Sequence, residues 1–313
     1  MRKRIQNTLH VLTLSAALAG LPATNALAQL ITYEGFNYSA DTSIGSQSGG
    51  YGWGGTWAVI TDAAAALGTN HAGSLTYGTL PTTGGRAVIG KPDATTATTA
   101  QIQRQLPNTL TNILGGGGSI WISFLYQNLN ADQAGLPGYR ETGLRLMRGS
   151  TTNISGVSGR NGTDMLDVGS PNTYPTAANF DRLAVFSGGV YLDSGIATPR
   201  GANPANTVFV VMRIDVDNTT AADTAYTWFN SSLLSQPSTG TALTWTTSAL
   251  GGINSLRFQA GNQNANGTNA VWAVDEIRVG LTWADVISPI PEPTILSLAS
   301  VAGIALLLWR RRN

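Results

Sequence analysis

Few side chains in this sequence could do chemistry, and most of those are carboxylates. Asp215, Asp217, Asn218 and Asp223 crowd the point where a strongly alternating stretch runs into a turn. Hard oxygen ligands at such close spacing are what Ca²⁺ takes. The bend has no glycine and no following bidentate glutamate, so it is not an EF-hand loop, and ordinary turn chemistry asks for the same Asp and Asn residues. Asp275 stands apart, inside the apolar stretch from Val271 to Val279, where strict alternation puts it on one face with Val271, Ala273, Ile277 and Val279. A carboxylate on a core face needs hydrogen-bond donors or a cation. The expectation is that backbone N–H groups or a Trp indole satisfy Asp275 and lower its pKa; a metal or acid/base role is the alternative. Ca²⁺ is the one cofactor suggested, with Asp215, Asp217, Asp223 and Asp275 as candidate ligands, and no other cofactor is expected.

Catalytic groups are harder to assemble. Retaining glycosidases need two carboxylates about 5 Å apart, and on a sandwich these would ride one strand face as Glu-x-Asp-x-x-Glu or a similar string. No such string occurs. Between residues 29 and 288 the glutamates are Glu34, Glu141 and Glu276, the histidine is His71 and the lysine is Lys91. His71 falls in Gly68-Thr69-Asn70-His71-Ala72-Gly73, read as a loop with no acid nearby, so a Ser-His-Asp arrangement has no footing. Asp164 and Asp167 are three apart and fall on opposite faces of a strand. The absence of cysteine removes thiol nucleophiles, thiolate metal sites and redox work. The chain is therefore expected not to be an enzyme, with a polysaccharide hydrolase or lyase using Asp275, Glu276 or Asp215 as the less favoured reading. Tyr51, Trp53 and Trp57, set among glycines, are candidates for a sugar-stacking platform. The other reading is that they plug one end of the fold. Trp228, Trp245, Trp272 and Trp283 are expected to pack in the core or at its rim.

The elements that must position these residues are short strands between Gly-, Pro- and Asn-rich turns. In Ser119–Leu129, Ile120, Ile122, Phe124 and Tyr126 share one face and Trp121, Ser123, Leu125 and Gln127 the other. In Thr207–Asp217, Val208, Val210, Met212, Ile214 and Val216 oppose Phe209, Val211, Arg213, Asp215 and Asp217. Further strands are read at 30–34, 58–61, 87–90, 101–106, 142–148, 165–168, 182–186, 190–192, 224–229, 256–260 and 271–279, and Gly115–Gly118 as a mobile turn. No stretch between the chain ends reads as a long amphipathic helix. About a dozen strands at this spacing argue for an all-β, two-sheet antiparallel sandwich.

Both ends look like processing segments. Met1-Arg2-Lys3-Arg4, the apolar run Val11–Leu21 and Ala26-Leu27-Ala28 have the order of a secretory signal peptide over residues 1–28, cleaved after Ala28. At the other end, Pro291-Glu292-Pro293 precedes an apolar run over about 294–309, which Arg310-Arg311-Arg312 close. That order over residues 289–313 resembles the PEP-CTERM sorting signal of exported Gram-negative proteins. The resemblance implies passage through the Sec translocon, a transient hold in the inner membrane by the C-terminal helix, and recognition by an exosortase-type membrane protease. Delivery to the cell surface or extracellular matrix would follow. Six of the 18 basic residues lie in these ends; the body keeps 12 against 16 acidic residues, a net charge of −4, which excludes a nucleic-acid surface.

Within the body, 29–288, Val271-Trp272-Ala273-Val274-Asp275-Glu276-Ile277-Arg278-Val279-Gly280 is similar to the closing strand of laminin-G-like, concanavalin-type jelly rolls. The stretch Val208–Asp217 with Trp228-Phe229-Asn230 looks like the hairpin before it. The opening Tyr33-Glu34-Gly35-Phe36, with Trp53 and Trp57 downstream, resembles PEP-CTERM proteins carrying that sandwich. The function expected is a non-enzymatic protein of the surface or exopolysaccharide matrix, with a lectin-like carbohydrate-binding module as the alternative and exopolysaccharide as the partner.

Overall fold

A computed structural model describes residues 30–61, 68–90, 99–129, 140–148, 164–170, 182–187, 190–197, 206–219, 222–247, 250–262 and 271–288. Ala26, Ala28, Lys91, Pro291, Glu292, Pro293 and Arg310 to Arg312 lie outside them, as do both end segments. Among the described residues no helix is long and apolar enough to cross a membrane.

Among the described residues, fifteen strands form two antiparallel sheets. The larger contains β1 (Thr32–Glu34), β3 (Gly68–Ala72), β4 (Gly85–Ile89), β6 (Ser119–Asn128), β11 (Val208–Asp215), β12 (Asp223–Phe229), β13 (Leu243–Thr247) and β15 (Trp272–Gly280). Its order is β13-β12-β11-β6-β15-β4-β3, and β1 also pairs with β15. The smaller holds β2 (Ala58–Thr61), β5 (Thr99–Gln105), β7 (Arg140–Met147), β8 (Asp164–Ser170), β9 (Arg182–Ser187), β10 (Val190–Ala197) and β14 (Ser255–Asn262). These run in the order β10-β9-β8-β7-β14-β5-β2. The expected two-sheet sandwich is the fold observed.

Between the sheets lies the main core, to which β6 gives Ile120, Ile122, Phe124 and Tyr126, β11 gives Val208, Val210, Met212 and Ile214, and β14 gives Leu256 and Phe258. The alternation read in these strands is the alternation seen. The other faces of β6 and β11, in the larger sheet, are largely apolar as well, because that sheet is covered on both sides. Trp121, Leu125, Phe209, Val211 and Trp228 form a second buried layer with Leu75, Leu80, Trp283 and Val286. The cover includes helix α2 (Trp283–Ile287), started by a capping box in which Thr282 and Asp285 exchange bonds with each other's backbone. Ser123 Oγ donates to the carbonyl of Val286 at 2.9 Å and ties that helix to β6. Trp228, Trp272 and Trp283 are buried, as packing residues should be.

Four elements differ from the sequence reading. The stretch carrying His71 is the strand β3, paired with β4, and not a loop. Leu243–Thr247 is an additional edge strand on β12. Helix α1 (Asn108–Gly115) buries Leu110 and Leu114 and ends at the first glycine of the Gly115–Gly118 run. Helix α2 is the fourth.

Candidate functional site

Strand β15 changes partners along one edge. Its first residues, Trp272–Val274, pair with β4, and Ile277–Val279 pair with β1. On its other edge, Asp275 stands opposite Leu125 and Arg278 opposite Ser123, so three steps on β15 meet two on β6. The extra residue is a β-bulge. Glu276 sits in it with φ 52°, a left-handed conformation that non-glycine residues adopt uncommonly. The bulge shifts the alternation. Trp272, Val274, Ile277 and Val279 face the main core, while Ala273 belongs to the outer layer. Asp275 therefore does not share a face with Ile277 and Val279; it accepts from the N–H of Leu75 in the outer layer, at 2.8 Å, and from that of Glu276 at 2.7 Å.

The fully buried Asp275 thus has the backbone donors expected for it, yet its pKa is raised rather than lowered. Burial is the largest cause, and the neighbouring Glu276 carboxylate adds to it; the two backbone donors do not offset them. Glu276 is also raised, chiefly by burial and against the pull of Arg278. Its Oε1 accepts from Tyr33 Oη at 3.0 Å and from the N–H of Thr83 at 2.7 Å. Its Oε2 accepts from Arg278 Nη2 at 2.8 Å. Arg278 Nη1 donates to the carbonyl of Ser288, at the end of the described chain, at 2.9 Å. These groups splice the loop 73–84, β1 and the exit of the chain onto the bulge. Neither carboxylate is open to solvent.

Glu34 plays the same part on the inner face. It lies opposite Ile277 in the β1–β15 register and is fully buried. Oε1 accepts from the N–H of Phe36 at 2.9 Å; Oε2 accepts from Tyr38 Oη at 2.7 Å, Trp57 Nε1 at 3.0 Å and Arg104 Nη1. Burial lowers the pKa of Arg104 and Glu34 counters it. The Arg104 guanidinium lies over the rings of Trp53 and Trp57, 4.9 and 5.4 Å from their centroids.

The three aromatics proposed as a platform accordingly separate. Trp57 is only 1% exposed, stacked on Phe36 and packed against Phe258, so it cannot offer a face to a ligand. Here the reading as a plug holds. Trp53 is half-buried, its indole N–H donating to the carbonyl of Tyr33 at 3.0 Å. Tyr51 is 38% exposed and exchanges backbone bonds with Tyr33. On either side of Tyr51, Gly50 (φ 69°) and Gly52 (φ 76°) run flush against β1, and a Cβ on either would collide with the carbonyl oxygen of Tyr33 or Ile31. Glycine is required at both positions. The loop is a fixed mount holding one exposed and one half-exposed ring.

The acidic cluster at the end of β11 does not converge. Asp215 pairs with Arg213 at 2.8 Å. Asp217 accepts from the Thr219 N–H at 2.7 Å, and its bonds with Thr219 lower its pKa. Asp223 is buried and accepts from the N–H groups of Asp217, at 2.9 Å, and Leu250, at 2.7 Å. Turn and edge bonding therefore occupy these carboxylates, and among the described residues no three potential ligands gather. His71 meets Thr69 Oγ1 at 3.2 Å.

One polar strip went unread in the sequence. On the face of β5 and β14 turned away from the core, Arg257 Nε donates to Gln103 Oε1 at 2.8 Å and its Nη1 to Gln101 Oε1 at 3.2 Å. Gln101 Nε2 donates to Gln259 Oε1 at 2.9 Å, and Gln103 Nε2 to Ser255 Oγ at 2.8 Å. The strip is buried and bonded to itself, which stiffens the smaller sheet. Its signal was the polar alternation Gln101-x-Gln103 and Arg257-x-Gln259.

Neither a family model nor a curated protein matches the sequence. Solved structures do resemble it. An endo-1,3-beta-glucanase from Streptomyces sioyaensis is 14% identical over 83% of this chain and 98% of its own, with a TM-score of 0.44. The GH131 beta-glucanase catalytic domain from Podospora anserina is 11% identical over 86% and 94%, with a TM-score of 0.38. A botulinum neurotoxin DC binding domain in complex with SialylT is 13% identical, with a TM-score of 0.39; the match covers 83% of this chain and 50% of that one. This finding corrects the expectation that the chain is not an enzyme. Catalytic domains of glycoside hydrolases stand among its structural neighbours. At these identities a resemblance is one of fold.

Proposed function

We propose that this chain is an exported, carbohydrate-binding β-sandwich protein that contacts its glycan through Tyr51 and Trp53. The observation that carries the reading is the mount described above. Two aromatic side chains stay partly open to solvent on a loop whose glycines and backbone bonds fix it to β1. A flat aromatic face suits the apolar face of a pyranose, and a preformed mount spares the ordering cost of binding. The sandwich is read as the concanavalin or laminin-G type of jelly roll on the strength of β15, β11 and β12. Its partner is exopolysaccharide of the cell surface or extracellular matrix. The ends supply the address: a signal peptide over 1–28 for the Sec translocon, and a PEP-CTERM signal over 289–313. An exosortase-type protease would act on the latter near Pro291-Glu292-Pro293 while the C-terminal helix rests in the inner membrane of a Gram-negative cell. A glycan array and retention on immobilised matrix polysaccharide test the binding. Retention should fall when Tyr51 and Trp53 are both replaced by Ala and should persist in EDTA. Retention that survives the double substitution removes these residues from the site.

A further inference from the structure

A second opening lies elsewhere, at the edge where β13 of the larger sheet approaches β10 of the smaller. The sheets part there around a cleft of about 360 Å³. Hydroxyl side chains line it: Thr227 on β12, Ser231, Ser232 and Ser235 in the loop that follows, and Thr241. Ile196 of β10, Phe229 and Leu243 provide apolar wall, and among the described residues no lining residue is charged.

Thr227 decides what this cleft is for. Its position opposite Met212 puts it on the inner face of the sheet, it is 1% exposed, and its Oγ1 has no hydrogen-bond partner. Buried hydroxyls are nearly always paired, and one left orphaned weakens the fold until something meets it. The neighbouring hydroxyls have capacity to spare. Ser232 Oγ accepts from the Leu234 N–H at 3.2 Å and keeps its proton to give. Thr241 Oγ1 donates to the Ser238 carbonyl at 2.8 Å and keeps its lone pairs. The wall thus offers donors and acceptors together, without charge.

We propose that this cleft binds a neutral hydroxylated ring, a single pyranose unit, with Thr227 Oγ1 bonded to one ring hydroxyl. The ring's apolar face would lie toward Ile196, Phe229 and Leu243. The volume falls at the small end of the range for ligand pockets, about 300–1,000 Å³, which suits a short unit and not a polymer strand. An ionic ligand would lose its hydration and find no opposite charge, and an apolar peptide side chain would leave Thr227 still unpaired. The site is independent of Tyr51 and Trp53.

Saturation-transfer NMR on the full-length protein tests it, with the methyl glycosides of glucose, galactose and mannose as probes and glucuronate as the charged control. At least one neutral glycoside should bind and glucuronate should not. Thr227→Val keeps the side chain's shape, so it should weaken binding by about tenfold or more while the sugar-free melting temperature holds or rises. These comparisons are made in a background carrying Tyr51→Ala and Trp53→Ala, which removes the other proposed sugar contact and should leave the binding that depends on Thr227. If Thr227→Val lowers the melting temperature, Ser231→Ala decides: a loss of about threefold or more supports the site, since an outlying hydroxyl contributes less, and none refutes it. The cleft is also refuted if none of the three glycosides binds, if Thr227→Val binds as well as the protein that keeps Thr227, or if binding disappears with Tyr51 and Trp53.

Discussion

At Asp275, burial competes with hydrogen bonding, and burial wins. Two backbone donors favour the carboxylate, but full desolvation and the Glu276 carboxylate favour the acid, so the folded pKa lies above the unfolded value. A carboxyl group raised in the folded state contributes stability that is fully present below its unfolded pKa, near 4, and is lost as pH rises through the folded value. Asp275→Asn removes this titration. The stability of wild type relative to Asp275→Asn should therefore grow as pH falls from neutrality toward 4, in paired urea melts across that range. A relative stability that grows toward neutral pH would mean the backbone donors win. The expectation of a lowered pKa fails for a local reason: alternation along Val271–Val279 gave no sign of the bulge that sets Glu276 beside Asp275. Arg104 makes the opposite case, a charge retained because it is paired. Its side chain is 2% exposed, and it bonds Glu34 and, through Nε at 2.8 Å, the Gly55 carbonyl. Arg104→Met should cost about 3–5 kcal/mol in urea unfolding, since it strands the buried Glu34 carboxylate. A cost below 1 kcal/mol, roughly the worth of a surface pair, would contradict that reading.

At the scale of elements, the legible parts were those whose burial follows a simple period. Strands β6 and β11 could be read face by face because every second residue enters the main core. Their apolar outer faces were equally plain, but the cover that explains them was not. The five-residue helix α2 is too short to register as a period, and Leu75 and Leu80 reach the sheet from a loop. Strand β3 was hidden because Gly68-Thr69-Asn70-His71-Ala72 has a turn's composition. Its pairing with β4 makes it a strand, and Gly68 leaves room for the Ile102 side chain, whose end lies where a Cβ would stand. The Tyr51–Trp57 segment was recognised as one unit, yet sequence could not divide it. Only the partners of Trp57, Glu34 and Phe258 far along the chain, show it to be a plug. The glycine mount can be tested alone. Gly52→Ala should push the loop off β1, exposing Trp53 and red-shifting its fluorescence, and should weaken glycan retention even though both rings remain. Unchanged fluorescence and retention would mean that the mount is not needed.

For the whole molecule, the two sheets form a scaffold, and the proposal makes the chain ends an address. The address predicts a definite mass: exported protein should lack residues 1–28 and everything beyond the Pro291–Pro293 region. Material still carrying Trp309 and Arg310 to Arg312 would favour a plain membrane anchor. The acidic cluster predicts indifference to chelation, because hydrogen bonds and an ion pair already occupy Asp215, Asp217 and Asp223; a melting temperature lowered by EDTA would contradict this. The central claim is that the scaffold holds carbohydrate through Tyr51 and Trp53. Isothermal titration of the purified full-length protein with matrix polysaccharide, beside the variant carrying Tyr51→Ala and Trp53→Ala, tests it most directly. The prediction is saturable binding that weakens by about tenfold or more in the variant at unchanged melting temperature. Equal binding by the two proteins, or none by the wild type, would contradict it.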